Sequence, residues 1–328
     1  MNERDARSAA GACARCVDGD DGCVGGARGV GGGVQTGRMA DDRADAYWRT
    51  RTGAPRSRGV LAPAAGDPAI GAAGSPIGMT RHAPAPALAA LVRHYWIPRW
   101  TLPPGRSVTQ RVLEYPSANL VVEGGEAAVW GPSPGLGSRT LTGSGWAFGV
   151  LLQPGVAPLL LGLPARALVG AERGVPLADV PGADDALPRV AAATAAGDEA
   201  GAVAAFEHWF GGLGLTPDDD ALTVRRLVER AEHDRGLTRV AQLAESEGLG
   251  IRRLERLVRE QLGLTPRWLI RRYRLQEAAE RLAGEGSPPL AELAAELGYA
   301  DQAHFTREFR TVIGETPGGY ARAARTAR

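Results

Sequence analysis

The stretch that most constrains this 328-residue chain lies near its C-terminal end: Leu290–Tyr320, LAELAAELGYADQAHFTREFRTVIGETPGGY. Leu290, Leu293, Ala294 and Leu297 fall at i, i+3, i+4 and i+7, the spacing of one buried helical face. Gly298 then ends that helix, because a residue without Cβ takes a positive φ at no steric cost. Asp301 predicts an N-cap for the next helix. Phe305, Phe309, Val312 and Ile313 repeat the apolar spacing until Gly314 and Pro317 close the segment. Two short amphipathic helices across a tight turn make a helix-turn-helix. With the Phe face buried, Gln302, Ala303, Thr306 and Arg307 lie on the other side. Gln and Arg match adenine and guanine edges, and Ala and the Thr methyl suit a thymine methyl. A solvated surface helix would carry similar residues, and periodicity alone does not separate the two readings.

The residue identities separate them. Gly298-Tyr299, Asp301-Gln302-Ala303-His304-Phe305, Arg307-Glu308-Phe309, and Gly314, Pro317 and Tyr320 closely resemble, without a gap, the second helix-turn-helix of AraC-type transcription regulators. A first such motif is expected upstream. Val240, Leu243 and Ala244 line one short helix, Gly248 breaks it, and Leu254, Leu257 and Val258 line a second that ends at Gly263. Thr265 as N-cap and Pro266 at the first position open a long helix to about Leu282. Ala221–Arg235 reads as a supporting helix. Leu254-x-Arg256-Leu257, Gly263-x-x-Pro266 and Arg274-Leu275-x-x-Ala278 resemble the first half of the same family's domain. Two departures stand out: Gly250-Ile251 where the family usually has Ser, which removes an N-cap, and Val258 where Phe is usual. Both imply a less rigid first reading head.

The resemblance implies two recognition helices about 50 positions apart, tied by one helix of roughly 25–28 Å. Successive major grooves on one face of DNA lie about 34 Å apart, so one monomer would read two of them. A rigid tie would require the DNA to bend. In the first head the expected groove-facing residues are Arg252, Arg253, Glu255 and Arg256; in the second, Gln302, Ala303, Thr306 and Arg307. Arg271, Arg272 and Arg310 are the expected phosphate contacts. For each Arg the competing reading is a solvated surface charge.

Net charge is only +1, so no global basic field advertises nucleic acid. The balance is uneven: positions 221–328 hold 19 Arg against 15 Asp and Glu, while the rest holds 19 against 22. A mildly basic tail on a mildly acidic body fits a DNA-binding domain attached to something else. The chain contains no Lys, a codon bias that weakens the Arg excess as a sign of phosphate binding.

Residues 1–78 are rich in Gly, Ala, Asp and Arg and show no sustained period, which predicts a disordered leader. Met39 and Met79 are alternative starts. Cys13, Cys16 and Cys23 lie in this leader; with no His nearby to complete a tetrahedral zinc site, they read as incidental reduced thiols. No apolar run approaches the roughly 20 residues of a membrane span, and the first 30 residues lack a signal-peptide core. The expected location is the cytoplasm, in association with the nucleoid.

Residues 79–182 change character. Leu91–Trp100, Gln110–Leu113, Asn119–Glu123, Ala127–Trp130, Arg139–Leu141 and Trp146–Leu152 predict short strands between Gly and Pro turns, hence a β-sandwich or barrel. Tyr95, Trp96, Trp130 and Trp146 are the candidate lining of a site for a small apolar or aromatic ligand; the alternative is that these rings fill the core. His82 and His94 are too isolated to make a metal site, and no catalytic constellation is visible. His94-Tyr95-Trp96, Tyr115-Pro116 with Asn119-Leu120-Val121, Trp130-Gly131, and Gly149-Val150 leading to Gln153-Pro154-Gly155 resemble the N-terminal domain of a subgroup of AraC-type regulators. That resemblance implies a cupin-like sensory or oligomerising domain of unassigned ligand. Residues 183–216 read as a helical connector and linker, and 217–328 as the double helix-turn-helix domain.

The expected fold is therefore a β-sandwich or barrel-like N-terminal domain plus an all-α C-terminal domain with two helix-turn-helix motifs joined by a long helix. The expected function is a sequence-specific transcription regulator, not an enzyme. Its expected partners are double-stranded operator DNA, a small-molecule effector, a second copy of the chain and RNA polymerase; no cofactor, metal or membrane is expected. The alternatives are a constitutive architectural DNA-binding protein with an interaction module and, more remotely, a DNA-repair methyltransferase-like protein. The latter is disfavoured because no reactive Cys follows the leader.

Overall fold

The computed structural model describes residue 61 and residues 75–171, 173–284 and 286–326. The Cys cluster, Met39 and most of the expected leader lie outside the described residues.

The short runs bounded by Gly and Pro do form strands. β1 (Ile77–His82), β2 (Val92–Thr101), β8 (Phe148–Leu152), β4 (Asn119–Glu123), β5 (Glu126–Trp130) and β9 (Val175–Pro176) lie side by side in that order, with β7 (Ser144–Trp146) also on β2. β3 (Ser107–Val112) and β6 (Gly137–Thr142) form a separate two-stranded sheet. All pairings are antiparallel. Two details differ from expectation. β1 starts at Ile77, inside the expected leader, and Ile77 is fully buried; a start at Met79 would remove the strand's one buried side chain. The run Trp146–Leu152 breaks at Ala147, whose N–H bonds the Pro98 carbonyl. Pro98 has no N–H to return, so the ladder cannot continue through that pair.

The apolar face of the large sheet packs on a helical hairpin. α1 (Val156–Leu161) follows β8, and α2 (Ala183–Ala196) and α3 (Glu199–Gly212) cover the sheet. Tyr95, Phe148 and Phe206 meet there with ring centroids 5.7–5.8 Å apart. The expected connector and linker, 183–216, is mostly helix: α3 runs to Gly212, and residues 213–218 separate it from α4 (Asp219–His233).

The C-terminal helices follow the predicted pattern. α5 (Val240–Ser246) and α6 (Ile251–Leu262) flank Gly248 at φ 63°, and Gly263 ends α6 at φ 68°. α7 (Pro266–Ala283) is capped by the Thr265 hydroxyl, which accepts from the Trp268 N–H at 3.1 Å. α8 (Leu290–Glu296) and α9 (Gln302–Ile313) flank Gly298 at φ 73°. Pro317, expected only as a stop, opens a further helix, α10 (Pro317–Thr326), as proline at a first helical position does. α4 to α7 enclose one core, around Leu227, Leu254, Leu257 and Leu269. α7 to α10 enclose another, around Leu282, Phe305, Phe309 and Tyr320.

Candidate nucleic-acid interface

In each helix-turn-helix the buried stripe fixes which side chains face out. On α6 the stripe is Leu254, Leu257, Val258 and Leu262; Arg252, Arg253, Glu255 and Arg256 are exposed. On α9 it is Phe305, Phe309, Val312 and Ile313; Gln302, Ala303, Arg307 and Arg310 are exposed and Thr306 is half-buried. The two helices differ at their N-termini. Asp301 caps α9, its carboxylate accepting from the His304 N–H at 2.6 Å. Gly250 precedes α6 with no side-chain cap. His304 packs edge-on against Tyr299 at the start of α9.

Two of the expected contacts are otherwise engaged. Arg272 is buried, so its assignment as a phosphate contact is corrected. Its guanidinium bonds the Leu113 carbonyl at 2.9 Å, the Glu114 carbonyl, and the Gln276 amide oxygen at 2.5 Å. Three of its five N–H donors are taken up inside the protein, and at 3% exposure the group is out of reach of DNA. Arg253 reaches back to Asp220 on α4 at 2.5 Å rather than out along the groove face. Arg271 is partly exposed, 3.8 Å from Glu308 on α9.

The carbonyls that hold Arg272 belong to the β-domain, and they are part of a wider junction. Arg93 on β2 pairs with Glu232 on α4 at 2.9 Å, with side-chain exposures of 9% and 1%. The Arg93 guanidinium also donates to the Tyr115 hydroxyl and lies 4.3 Å from the Tyr115 ring centroid. The Trp268 indole N–H donates to the Pro134 carbonyl at 2.8 Å, and Arg111 on β3 pairs with Glu315 at 2.9 Å. The connecting helix α7 is therefore buried on nearly every side, including by Arg272, Tyr273 and Gln276, which in a free-standing helix-turn-helix domain would face water. No local pattern flagged Arg93 or Glu232, because their partners lie more than a hundred positions away.

The four aromatic residues expected to line a ligand site are not brought together. Successive residues on a strand face opposite ways. Paired positions place Trp96 and Trp130 on one face of the sheet and Tyr95 and Trp146 on the other. Tyr95 is core: it is fully buried, and its hydroxyl donates to Glu207 on α3 at 3.1 Å. Trp96 lies flat over Gly149 and donates to Asn119 at 3.1 Å; a Cβ at position 149 would overlap its ring. Trp130 is 37% exposed. Two surface concavities, one beside α6 and one between α2 and α3, are lined by none of these four. His94 faces the same side as Trp96 and is buried; burial and the nearby Arg93 and Arg81 charges push its imidazole pKa down to about 3.

Among the described residues no helix is long and apolar enough to cross a membrane, and no group of three or more His, Cys, Asp or Glu is placed to hold a metal ion.

Residues 243–323 match a helix-turn-helix domain family, and residues 80–172 match a domain of unknown function, DUF6597. The transcriptional activator NphR of Rhodococcus sp. is 31% identical over 102 residues, 31% of this chain and 30% of that protein. The activator RhaS of Pectobacterium atrosepticum is 32% identical over 75 residues, 23% of this chain and 26% of that protein. The chain thus matches less than a third of the length of these relatives. Among solved structures, a probable AraC family transcriptional regulator from Rhodopseudomonas palustris is 25% identical, with 33% of this chain and 98% of that chain covered and a TM-score of 0.28. ToxT from Vibrio cholerae is 12% identical, with 75% and 97% covered and a TM-score of 0.34. Residues 243–323 are an AraC-type helix-turn-helix domain, carried behind a domain of the DUF6597 family.

Proposed function

We propose that this chain is a sequence-specific transcription regulator in which a single copy reads two adjacent major grooves, with α6 as the first reading helix and α9 as the second. The observation that carries the reading is the pair of exposed polar faces, Arg252, Glu255 and Arg256 on α6 and Gln302, Ala303 and Arg307 on α9, presented by helices tied through one 18-residue helix. At 1.5 Å per residue that tie is about 27 Å long. With its flanking helices it reaches the roughly 34 Å between successive grooves on one DNA face. Arg271 and Arg310 serve as phosphate contacts. RNA polymerase and a second copy of the chain are its proposed protein partners.

The test is selection of binding sites from random duplex DNA with the full chain. Two short motifs about one helical turn apart support the reading. A single motif would mean that one head is silent, most readily the uncapped α6. No enrichment under any condition would sink it.

Whether the β-domain senses a small molecule is a separate matter. The exposed Trp130 and the Trp96 face are its candidate ligand surface. A constitutive DNA-binding protein is the second reading, favoured by the buried Arg93–Glu232 and Arg272 junction, which makes the β-domain a fixed brace. A ligand that shifts both melting temperature and DNA affinity would favour the sensor; a screen in which affinity never moves would favour the brace.

A further inference from the structure

Beside α6 lies an open concavity of about 560 Å³, and one of its walls comes from the β-domain. Arg252, Arg256 and Arg259 line it along the outward face of α6, together with Glu255 and Glu260; Arg166 lines it from the short 3-10 turn Ala165–Ala167. That turn is pressed on the end of the helix. Gly263, the C-cap, has φ 68°, and a Cβ built there would lie 2.9 Å from both the Ala165 carbonyl oxygen and Arg166 Cα. The approach is backbone against backbone, so the position of Arg166 relative to α6 is fixed by main chain. The Arg166 side chain is exposed. Among the described residues Arg166, Arg252, Arg256 and Arg259 have no ion-pair partner, whereas the neighbouring Arg253 is held by Asp220. Arg166 therefore extends a row of free cations past the point where the helix stops.

That position has a definite meaning for a helix lying in a major groove. α6 has 12 residues and is about 18 Å long. The groove is about 12 Å wide, so the C-terminal end of such a helix arrives at the phosphate backbone flanking the groove. A helix C-terminus is a poor neighbour for phosphate, since its unsatisfied carbonyls carry a partial negative charge, and Glu260 adds another. Arg259 offsets part of this from the helix itself; Arg166 adds a cation from outside the helix-turn-helix domain. We propose that Arg166 is a DNA-backbone contact, so that the β-domain is itself part of the nucleic-acid interface and completes the first reading head. This rests on the reading of α6 as a recognition helix.

The experiment compares the full chain with its Arg166→Ala and Arg166→Lys variants on two duplexes, a site obtained by selection and an unrelated sequence, across a salt series. One phosphate contact contributes about 0.9 to the slope of log affinity against log salt. Between 50 and 200 mM salt the wild type should therefore weaken about 3.5-fold more than Arg166→Ala. The loss should be equal on both duplexes, because a phosphate contact carries no sequence information. Arg166→Lys should keep the wild-type slope, and both variants should melt with the wild type. Identical slopes for wild type and Arg166→Ala would overturn the inference. So would tighter binding by Arg166→Ala, which would make the turn a shield over α6 instead. A wild-type chain that binds neither duplex at any salt would overturn the regulator reading along with it; a wild type that binds, with an unaltered variant, overturns the inference alone.

Discussion

Single residues carry opposite kinds of information in the two halves of this chain. Arg307 is exposed at the centre of the outward face of α9. Its replacement by Ala is expected to cost about 1–3 kcal/mol of binding and to relax preference at one base pair, as loss of a bidentate base contact does. Equal weakening on all sequences in a binding-site selection would make Arg307 a phosphate contact instead. His94 speaks to stability. Its folded pKa of about 3 lies below the unfolded value near 6.5, so the unfolded chain binds the extra proton between these limits. The contribution of neutral His94 is thus complete above about pH 6.5 and is lost as pH falls toward 3, by about 1.4 kcal/mol per pH unit within that window. His94→Gln should flatten this part of the stability profile in denaturant melts at stepped pH; parallel profiles for the two proteins would contradict it. Arg272 marks where residue-level reading failed. An Arg on a helix next to another Arg looks like a surface charge, and only the carbonyls of Leu113 and Glu114, about 160 positions earlier, make it a buried anchor.

At the level of elements, the helices were legible because each boundary has a local cause. Thr265 and Asp301 cap from within three residues, and Gly248, Gly263, Gly298 and Gly314 all take the left-handed conformation expected of helix ends. The strands were legible in place more than in number, six spans being expected where nine strands form among the described residues. β4 coincides with its predicted span, but β1 was missed because its six residues bury only Ile77 and show no alternation. The difference between the two reading helices is a local matter as well. Asp301→Ala should cost roughly 1 kcal/mol of stability by removing the cap on α9. Gly250→Ser, which supplies the cap that α6 lacks, should gain only a few tenths, because Gly is itself tolerated at an N-cap. Thermal or denaturant melts of the two variants check both, and an Asp301→Ala protein as stable as wild type would mean that the observed bond contributes nothing.

For the whole molecule, the domain boundary inferred from sequence near 217 runs through a buried polar junction. Separating 217–328 from the rest would leave Glu232, Trp268, Arg272, Tyr273 and Gln276 without the surface that now covers them. Truncating one side of a buried charge pair typically costs about 3–5 kcal/mol. A fragment of residues 217–328 is therefore expected to melt well below the full chain, and the full chain from residue 75 to unfold in a single transition. Calorimetry that resolves two independent transitions, one matching the fragment, would refute this. Nothing in the sequence announced the junction, because the amphipathic stripe that predicts a helix says nothing about what its other faces will meet. On α7 the opposite face is polar and still buried.

The arrangement of α7 makes the β3–β4 connection a gauge. The carbonyls of Leu113 and Glu114 grip Arg272 near the middle of the helix whose two ends carry the two reading heads. A tilt of about 5° over a 27 Å span moves the far end by about 2 Å, a noticeable fraction of the rise of one base-pair step. On the proposed reading, an insertion or deletion in this short stretch of β-domain would change the angle at which the two ends of α7 meet DNA, without a single substitution in either helix proposed to touch a base. The approach of both heads would thus be set in part by a loop that belongs to neither.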